Sequence, residues 1–404
     1  MARNGLGLFR AFFQSEKSGG FVLIGCTLLS LLIANSAWGE SYLHFWHTHL
    51  NLSFGAVKLD YSIEHWVNDG LMAIFFLLVG LEIERELYVG ELSTVKHATL
   101  PIVAAVGGML VPAAIHFAFN SGTPTQSGFG IPMATDIAFA LGILSLMGNR
   151  VPVSLKIFLT ALAIIDDLGA ILVIAIFYTS NFEGGYFAGA LAVFGILFFL
   201  GKLKVYRLSV YLIGGVIMWY LMLKSGIHAT IAGVLLAFAI PFINEKERNP
   251  SYKLQHFLHN TVAFGILPIF ALANTAILLP ENITASLTTR NAIGIMTGLV
   301  VGKLVGITLF CWLAVKVGIA RLPSGVNWRL IIGVALLGGI GFTMSIFITN
   351  LALADAAMIT GAKMSILTAS LVAALTGLLV LKTAPPVRHH KTTPAEATQK
   401  DPSE

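Results

Sequence analysis

The sequence predicts an all-α polytopic membrane protein: twelve transmembrane helices, two of them broken, and one short β-hairpin outside the membrane. Three observations carry this. Of 404 residues, 56% are hydrophobic and only 11% are charged, where a soluble domain carries about 25% charged residues. Apolar runs long enough to cross a bilayer recur along the whole chain. Lys and Arg fall almost entirely into alternate connections between those runs.

The runs occupy roughly 12–35, 61–83, 98–119, 129–147, 154–178, 186–201, 207–223, 227–243, 257–279, 291–316, 329–350 and 359–381. The first follows a basic stretch and continues to Ala34 without a small-residue cleavage site, so it reads as a span rather than a signal peptide. Residues 48–61 (THLNLSFGAVKLDY) alternate apolar and polar on both sides of Gly55-Ala56, the pattern of a β-hairpin. The fourth span follows Gly128, Gly130 and Pro132, which break helix, and the eleventh holds Gly338, Gly339 and Gly341 at its centre. An even number of spans puts both termini on one side. With that side inside, 20 of the 25 Lys and Arg lie in inner segments and 4 (Lys58, Lys224, Arg290, Lys363) in outer ones. Lys303 lies within a span, and both termini are therefore expected to be cytoplasmic. Residues 1–382 form one membrane domain, and the Pro-, Thr- and charge-rich tail 383–404 is expected to be disordered. Cys26 and Cys311 lie in apolar segments, which argues against a disulfide framework. The net charge of +5 is spread over many loops and forms no nucleic-acid patch.

Chemistry concentrates where charge enters lipid. Asp166 and Asp167 sit within the apolar run Ile157–Tyr178, whose 22 residues would span about 33 Å as a helix. Each charge near the midplane costs about 2.5–3.5 kcal/mol on insertion scales, so an intramembrane ionisable residue is by default a functional-site hypothesis. Asp136, in GFGIPMATDIAFALGILSL, starts the half-span after the first break, where it or Thr135 is placed to cap a helix at membrane depth. Broken helices at mid-membrane are how secondary transporters build binding sites. The Gly338–Gly341 region, followed by Thr343 and Ser345, is either a close helix contact or a second unwound crossing opposite Asp136. A carboxylate near the positive ends and a cation near the negative ends would offset the dipoles of such crossed half-helices.

Lys303 is the candidate cation. Gly294, Gly298, Gly302 and Gly306 form a ladder along its helix, which lets a neighbour approach the backbone. The string GLVVGKL lacks the spacing and the Ser or Thr of a phosphate loop. Adjacent residues on a helix point about 100° apart, so one of Asp166 and Asp167 is free to pair with Lys303 while the other faces an ion path. Asp69, at the start of the second span, reads either as lining an outer route or as an interfacial residue. Glu82, Glu84, Arg85 and Glu86 end that span, either as a solvated inner face or as a functional cluster. His256 and His259 lie at i and i+3 at the cytoplasmic end of the ninth span, suitable for sensing pH but short of a third metal ligand. His228, opening the eighth span, reads as a packing residue, and His44, His47 and His49 carry no assigned role.

Together FFLLVGLEIERE, IPMATDIAFALG, LKIFLTALAIIDDLGAI, LKSGIHATIAGV and GIGFTMSIFI resemble the NhaA family of bacterial sodium/proton antiporters, over nearly the whole chain outside loops and tail. Inverted repeats are an attested feature of that very family, so this part of the architecture comes from the resemblance. It implies core repeats at about 98–178 and 291–381, crossing at spans four and eleven. Spans 12–83 and 186–279 then make up the remaining panel. Asp166 and Asp167 would carry sodium (or lithium) and protons, with Asp167 the more direct ligand and Thr135 assisting. Asp136 and Lys303 would compensate charge at the crossing, and Lys303 would also be a partner for Asp166. Asp69 would lie on the outer pathway, and Glu82, Arg85, Glu86, His256 and His259 would sense pH. The hairpin would join a homodimer in the bacterial inner membrane.

Three positions depart from the family pattern: Gln255 stands where the family has Glu, Leu304 where Pro often follows the lysine, and Glu84 where it has a basic residue. The expected mechanism is competition of a hard cation and protons for the same carboxylates, in an electrogenic, pH-regulated exchange by alternating access. No organic cofactor and no enzymatic reaction is expected, since no nucleophile–base set or metal cluster appears. A cation channel would share the acidic site, but the paired breaks favour a carrier. A sodium-coupled solute symporter of related architecture is the closest alternative.

Overall fold

The computed structural model describes residues 2–384 except 56, 180, 244–248 and 281; the side chains of 2–17 and 149 lie outside that description. The tail expected to be disordered, from 385 onward, falls outside it as well; Thr383 ends a helix.

The chain is mostly helical, and among the described residues eight helices are long and apolar enough to cross a membrane. They are Ile63–Val89, Val95–Asn120, Val153–Phe177, Gly184–Lys202, Leu208–Ser225, Pro250–Asn274, Arg290–Val317 and Ala356–Thr383. Two bent pairs raise the number to ten: Ser18–Ala34 with Gly39–His47, meeting at 114°, and Trp328–Leu337 with Phe342–Ala352, meeting at 46°. The other two apolar runs form the helices Ile137–Leu146 and Ile231–Ala239, of 10 and 9 residues. At about 1.5 Å per residue neither spans a bilayer core by itself. Hydropathy could not register this, because each short helix is apolar enough to carry an averaging window out over its less apolar, non-helical neighbours.

The hairpin forms where alternation placed it. His49–Asn51 pairs antiparallel with Asp60–Ser62, with Leu50 opposite Tyr61. Phe54 and Val57 close the turn, and Gly55 adopts φ +58°, a conformation that favours glycine. Cys26 and Cys311 are both free thiols.

The helix Val95–Asn120 lies against Arg290–Val317 at backbone distance. A Cβ on Gly107 would strike the Gly306 carbonyl, and one on Gly306 would strike that of Gly107. Gly302 faces Pro112 and Gly298 faces Pro132, so the glycine ladder is a packing surface along most of its length. Three π-helical stretches interrupt long helices: Trp66–Leu71, Val262–Ile266 and Gly298–Gly302. The last immediately precedes Lys303. Lys363, counted above with the outer segments, lies within the first turns of the helix Ala356–Thr383 and is buried. Its flanking residues are too apolar and helix-prone to end the span before it.

Candidate functional site

The site is assembled by two interruptions of helix that hydrogen-bond to each other. Around Thr135–Asp136 the chain is extended; Asp136 N–H donates to the Ile340 carbonyl at 2.7 Å. The Asp136 carboxylate serves two helix starts at once. Its Oδ1 accepts from Phe139 N–H at 2.9 Å, capping Ile137–Leu146. Its Oδ2 accepts from the backbone N–H and hydroxyl of Thr343, at 3.0 and 2.5 Å, at the start of Phe342–Ala352. One carboxyl group thus accepts from two positive helix ends. Ser345 adds a bond to the Ile131 carbonyl at 2.6 Å.

The opposite, carbonyl end is reached through Thr135. Its hydroxyl lies 2.8 Å from both Asp166 Oδ2 and the Gly338 carbonyl, as a donor with one proton to share. Lys303 Nζ donates to the Thr135 hydroxyl at 3.0 Å and to Asp166 Oδ2 at 2.5 Å. Asp136, Asp166, Asp167 and Lys303 are all fully or almost fully buried. The choice left open by helix periodicity is resolved: Asp166 takes Lys303 and Asp167 does not. Oδ1 of Asp166 and Oδ1 of Asp167 are both buried without a hydrogen-bond partner among the described residues. Buried carboxylate oxygens normally have donors, so two bare ones on adjacent residues call for an explanation. A proton or a hard cation supplies one.

The profile of the Na+/H+ antiporter 1 family matches residues 10–381. The chain belongs to this family. A protein of Flavobacterium psychrophilum named Na(+)/H(+) antiporter NhaA is 60% identical over 376 residues, covering 93% of this chain and 96% of that one. Proteins of the same name from Cytophaga hutchinsonii and Dechloromonas aromatica are each 59% identical, over 93% and 92% of this chain and 95% of their own.

The remaining candidate residues of this antiporter-family chain fall into two groups at the ends of the bundle. Glu82, Glu84 and Glu86 are buried, so the solvated-face reading does not hold. They are tolerated because each has a partner. Glu82 Oε1 lies 4.0 Å from His259 Nδ1, and Glu84 Oε2 accepts from Ser251 at 2.7 Å. Glu86 pairs with its neighbour Arg85 at 2.7 Å and accepts from Glu91 N–H at 3.0 Å. His256 is exposed and stacks on Tyr252. At the other end Asp69 pairs with His65 at 3.1 Å, and Trp219 donates to its carbonyl at 2.8 Å. His228 meets the Tyr178 carbonyl at 2.9 Å. His47 and His49, given no role above, face Glu64 and Asp60 at 3.6 and 3.2 Å. A cavity of about 500 Å3 lined by Glu91, Lys96, His97 and Arg321 among others includes none of the crossing residues.

Sequence reasoning missed two polar networks inside the bundle. His116 accepts or donates at 3.0 Å to Asn291, and Asn120 holds the His116 and Arg290 carbonyls. Asn274 donates to Asn68 at 2.8 Å and accepts from Asn350 at 2.6 Å. The available signal was each amide's position in an apolar run; such residues mark function or helix contact in lipid.

Proposed function

We propose that this chain is a secondary sodium/proton antiporter that exports cytoplasmic sodium, and lithium, in exchange for external protons. The observation that carries the reading is the unequal treatment of two adjacent buried carboxylates: each has a bare Oδ1, but Asp166 is paired through Oδ2 with Lys303, whereas Asp167 has no ion pair among the described residues. Asp167 is then the principal sodium ligand. Asp166 joins it when Lys303 withdraws, and Thr135 and freed backbone carbonyls complete an oxygen shell suited to a hard cation. Sodium and protons compete for the same oxygens, so binding one releases the other.

Alternating access follows if residues 98–178 and 291–381 act as inverted repeats rocking against spans 12–83 and 186–279. The mutual hydrogen bonds of the two interruptions support that pairing. In this reading the short helices Ile137–Leu146 and Ile231–Ala239 complete twelve crossings with their extended neighbours, and both termini face the cytoplasm of the bacterial inner membrane. Glu82, Arg85, Glu86, His256 and His259 form the pH-responsive mouth, Asp69 lines the outer route, and the hairpin joins two copies.

The test is a proteoliposome assay with an internal pH dye. Sodium addition should collapse an imposed pH gradient, and Asp167→Asn should abolish the response. A response unchanged by that substitution removes Asp167 from the mechanism. Calorimetry on the purified protein should detect proton release on sodium binding; uptake without release would favour a symporter or channel.

A further inference from the structure

Two lysines are buried among the described residues. Lys303 belongs to the crossing. Lys363 does not: it lies about two turns inside the helix Ala356–Thr383, where its Nζ is 3.9 Å from Glu64 Oε1. Glu64 sits in the short turn of helix directly after the hairpin and also faces His47 at 3.6 Å. A buried ammonium with one carboxylate in reach is costly unless that contact serves a purpose.

The purpose is suggested by what the contact joins. Lys363 belongs to one of the repeats named above, and Glu64 to the remaining spans. The amide chain crosses the same boundary: Asn350 lies on Phe342–Ala352 in the repeat, and Asn274 and Asn68 lie on Pro250–Asn274 and Ile63–Val89 outside it. Both sets lie at the end of the bundle that carries the hairpin. Nearby, Phe347 of the repeat packs on Phe76 and Phe270 of the other part.

We propose that Lys363–Glu64 and Asn350–Asn274–Asn68 form an outer latch, a pair of polar seams made only while the ion site is shut off from the outside. This rests on the antiport reading and adds a device to it: the two seams must part each time the site turns outward. Single amide bonds and one long ion pair with a partly exposed carboxylate suit that use, because water can replace each partner as the seam opens. By linkage, contacts made in only one of two states hold the population in that state.

The experiment uses the full chain with Cys26→Ala and Cys311→Ala as parent, reconstituted in proteoliposomes, with Glu64→Cys and Lys363→Cys added as a pair. Joining the two thiols with a short, reducible bifunctional reagent should abolish sodium-driven proton flux, and reduction should restore it in the same sample. Flux that persists through complete cross-linking overturns the latch. In a second arm, Glu64→Gln and Lys363→Gln should each raise the apparent KM for sodium on the cytoplasmic side roughly fivefold, by lowering the share of inward-facing protein. Exchanging the charges, Glu64→Lys with Lys363→Glu, should bring it back. Single variants with unchanged KM and turnover would equally overturn the proposal. The flux of the untreated parent tests the antiport reading separately.

Discussion

Lys303 donates to Asp166 at 2.5 Å, across 137 residues of sequence, while Asp167 next door is left out of the pair. The two carboxylates therefore differ in what their removal would leave behind. Removing Asp166 strands a buried ammonium, whereas removing Asp167 strands nothing. Asp166→Asn should therefore lower the thermal unfolding midpoint sharply, consistent with the about 3–5 kcal/mol lost when a buried pair is broken. Asp167→Asn should leave the midpoint unchanged or raised while abolishing flux. Equal destabilisation by the two substitutions would contradict the assignment of partners.

Thr343 supplies two of the three donors seen on the Asp136 carboxylate, through its backbone and its hydroxyl. Only the hydroxyl can be removed by substitution. Thr343→Val should cost about 1.5–3 kcal/mol, the range for a hydrogen bond to a charged group. Thr343→Ser should retain most of the stability. Chemical or thermal unfolding in detergent reads the difference, and indistinguishable Val and Ser variants would mean the hydroxyl is idle.

Gly306 and Gly107 meet backbone to backbone, whereas nothing stands within 4 Å of a Cβ built on Gly195. Gly306→Ala should prevent close approach of the two helices, with loss of folded yield and of flux. Gly195→Ala should be neutral or stabilising by up to about 1 kcal/mol, the helix-propensity gain of Ala over Gly. A well-folded, fully active Gly306→Ala variant would show that the helices can separate without consequence.

His259 lies 4.0 Å from the buried Glu82, and His256 is exposed on a tyrosine ring. If this mouth senses pH, His259→Ala should displace the pH–flux curve more than His256→Ala does. The pH at half-maximal flux, measured for both variants, gives the ranking. A curve that stays in place in both excludes these histidines from the response.

How much of this was legible beforehand depends on the residue. That Thr135 or Asp136 caps a helix could be read locally, because the breakers before them and the apolar half-span after are contiguous; that the cap is Asp136 is seen only in the structure. The hairpin was equally local. The partner of Lys303 was not, since deciding between Asp166 and Asp167 requires the rotational setting of two helices that share no sequence neighbourhood. Glu84 and Ser251, 167 residues apart, escaped for the same reason, and burial of the three glutamates depends on helices packing over them. The burial of Lys363 against Glu64 escaped as well, because its partner lies on a helix far away in sequence.

The π-helical stretch Gly298–Gly302, directly before Lys303, has a consequence for how this chain tolerates change. Such a bulge carries one residue beyond an ordinary turn. It acts as a phase adjuster, turning the C-terminal half of that helix by about 100° relative to an uninterrupted one. Winding all five residues as regular α-helix would swing the ammonium away from its carboxylate, whereas deleting one of them would restore regular winding with Lys303 in nearly its present phase. A single deletion in this five-residue window should thus be better tolerated than one elsewhere along the same helix, where each lost residue turns everything after it by about 100°.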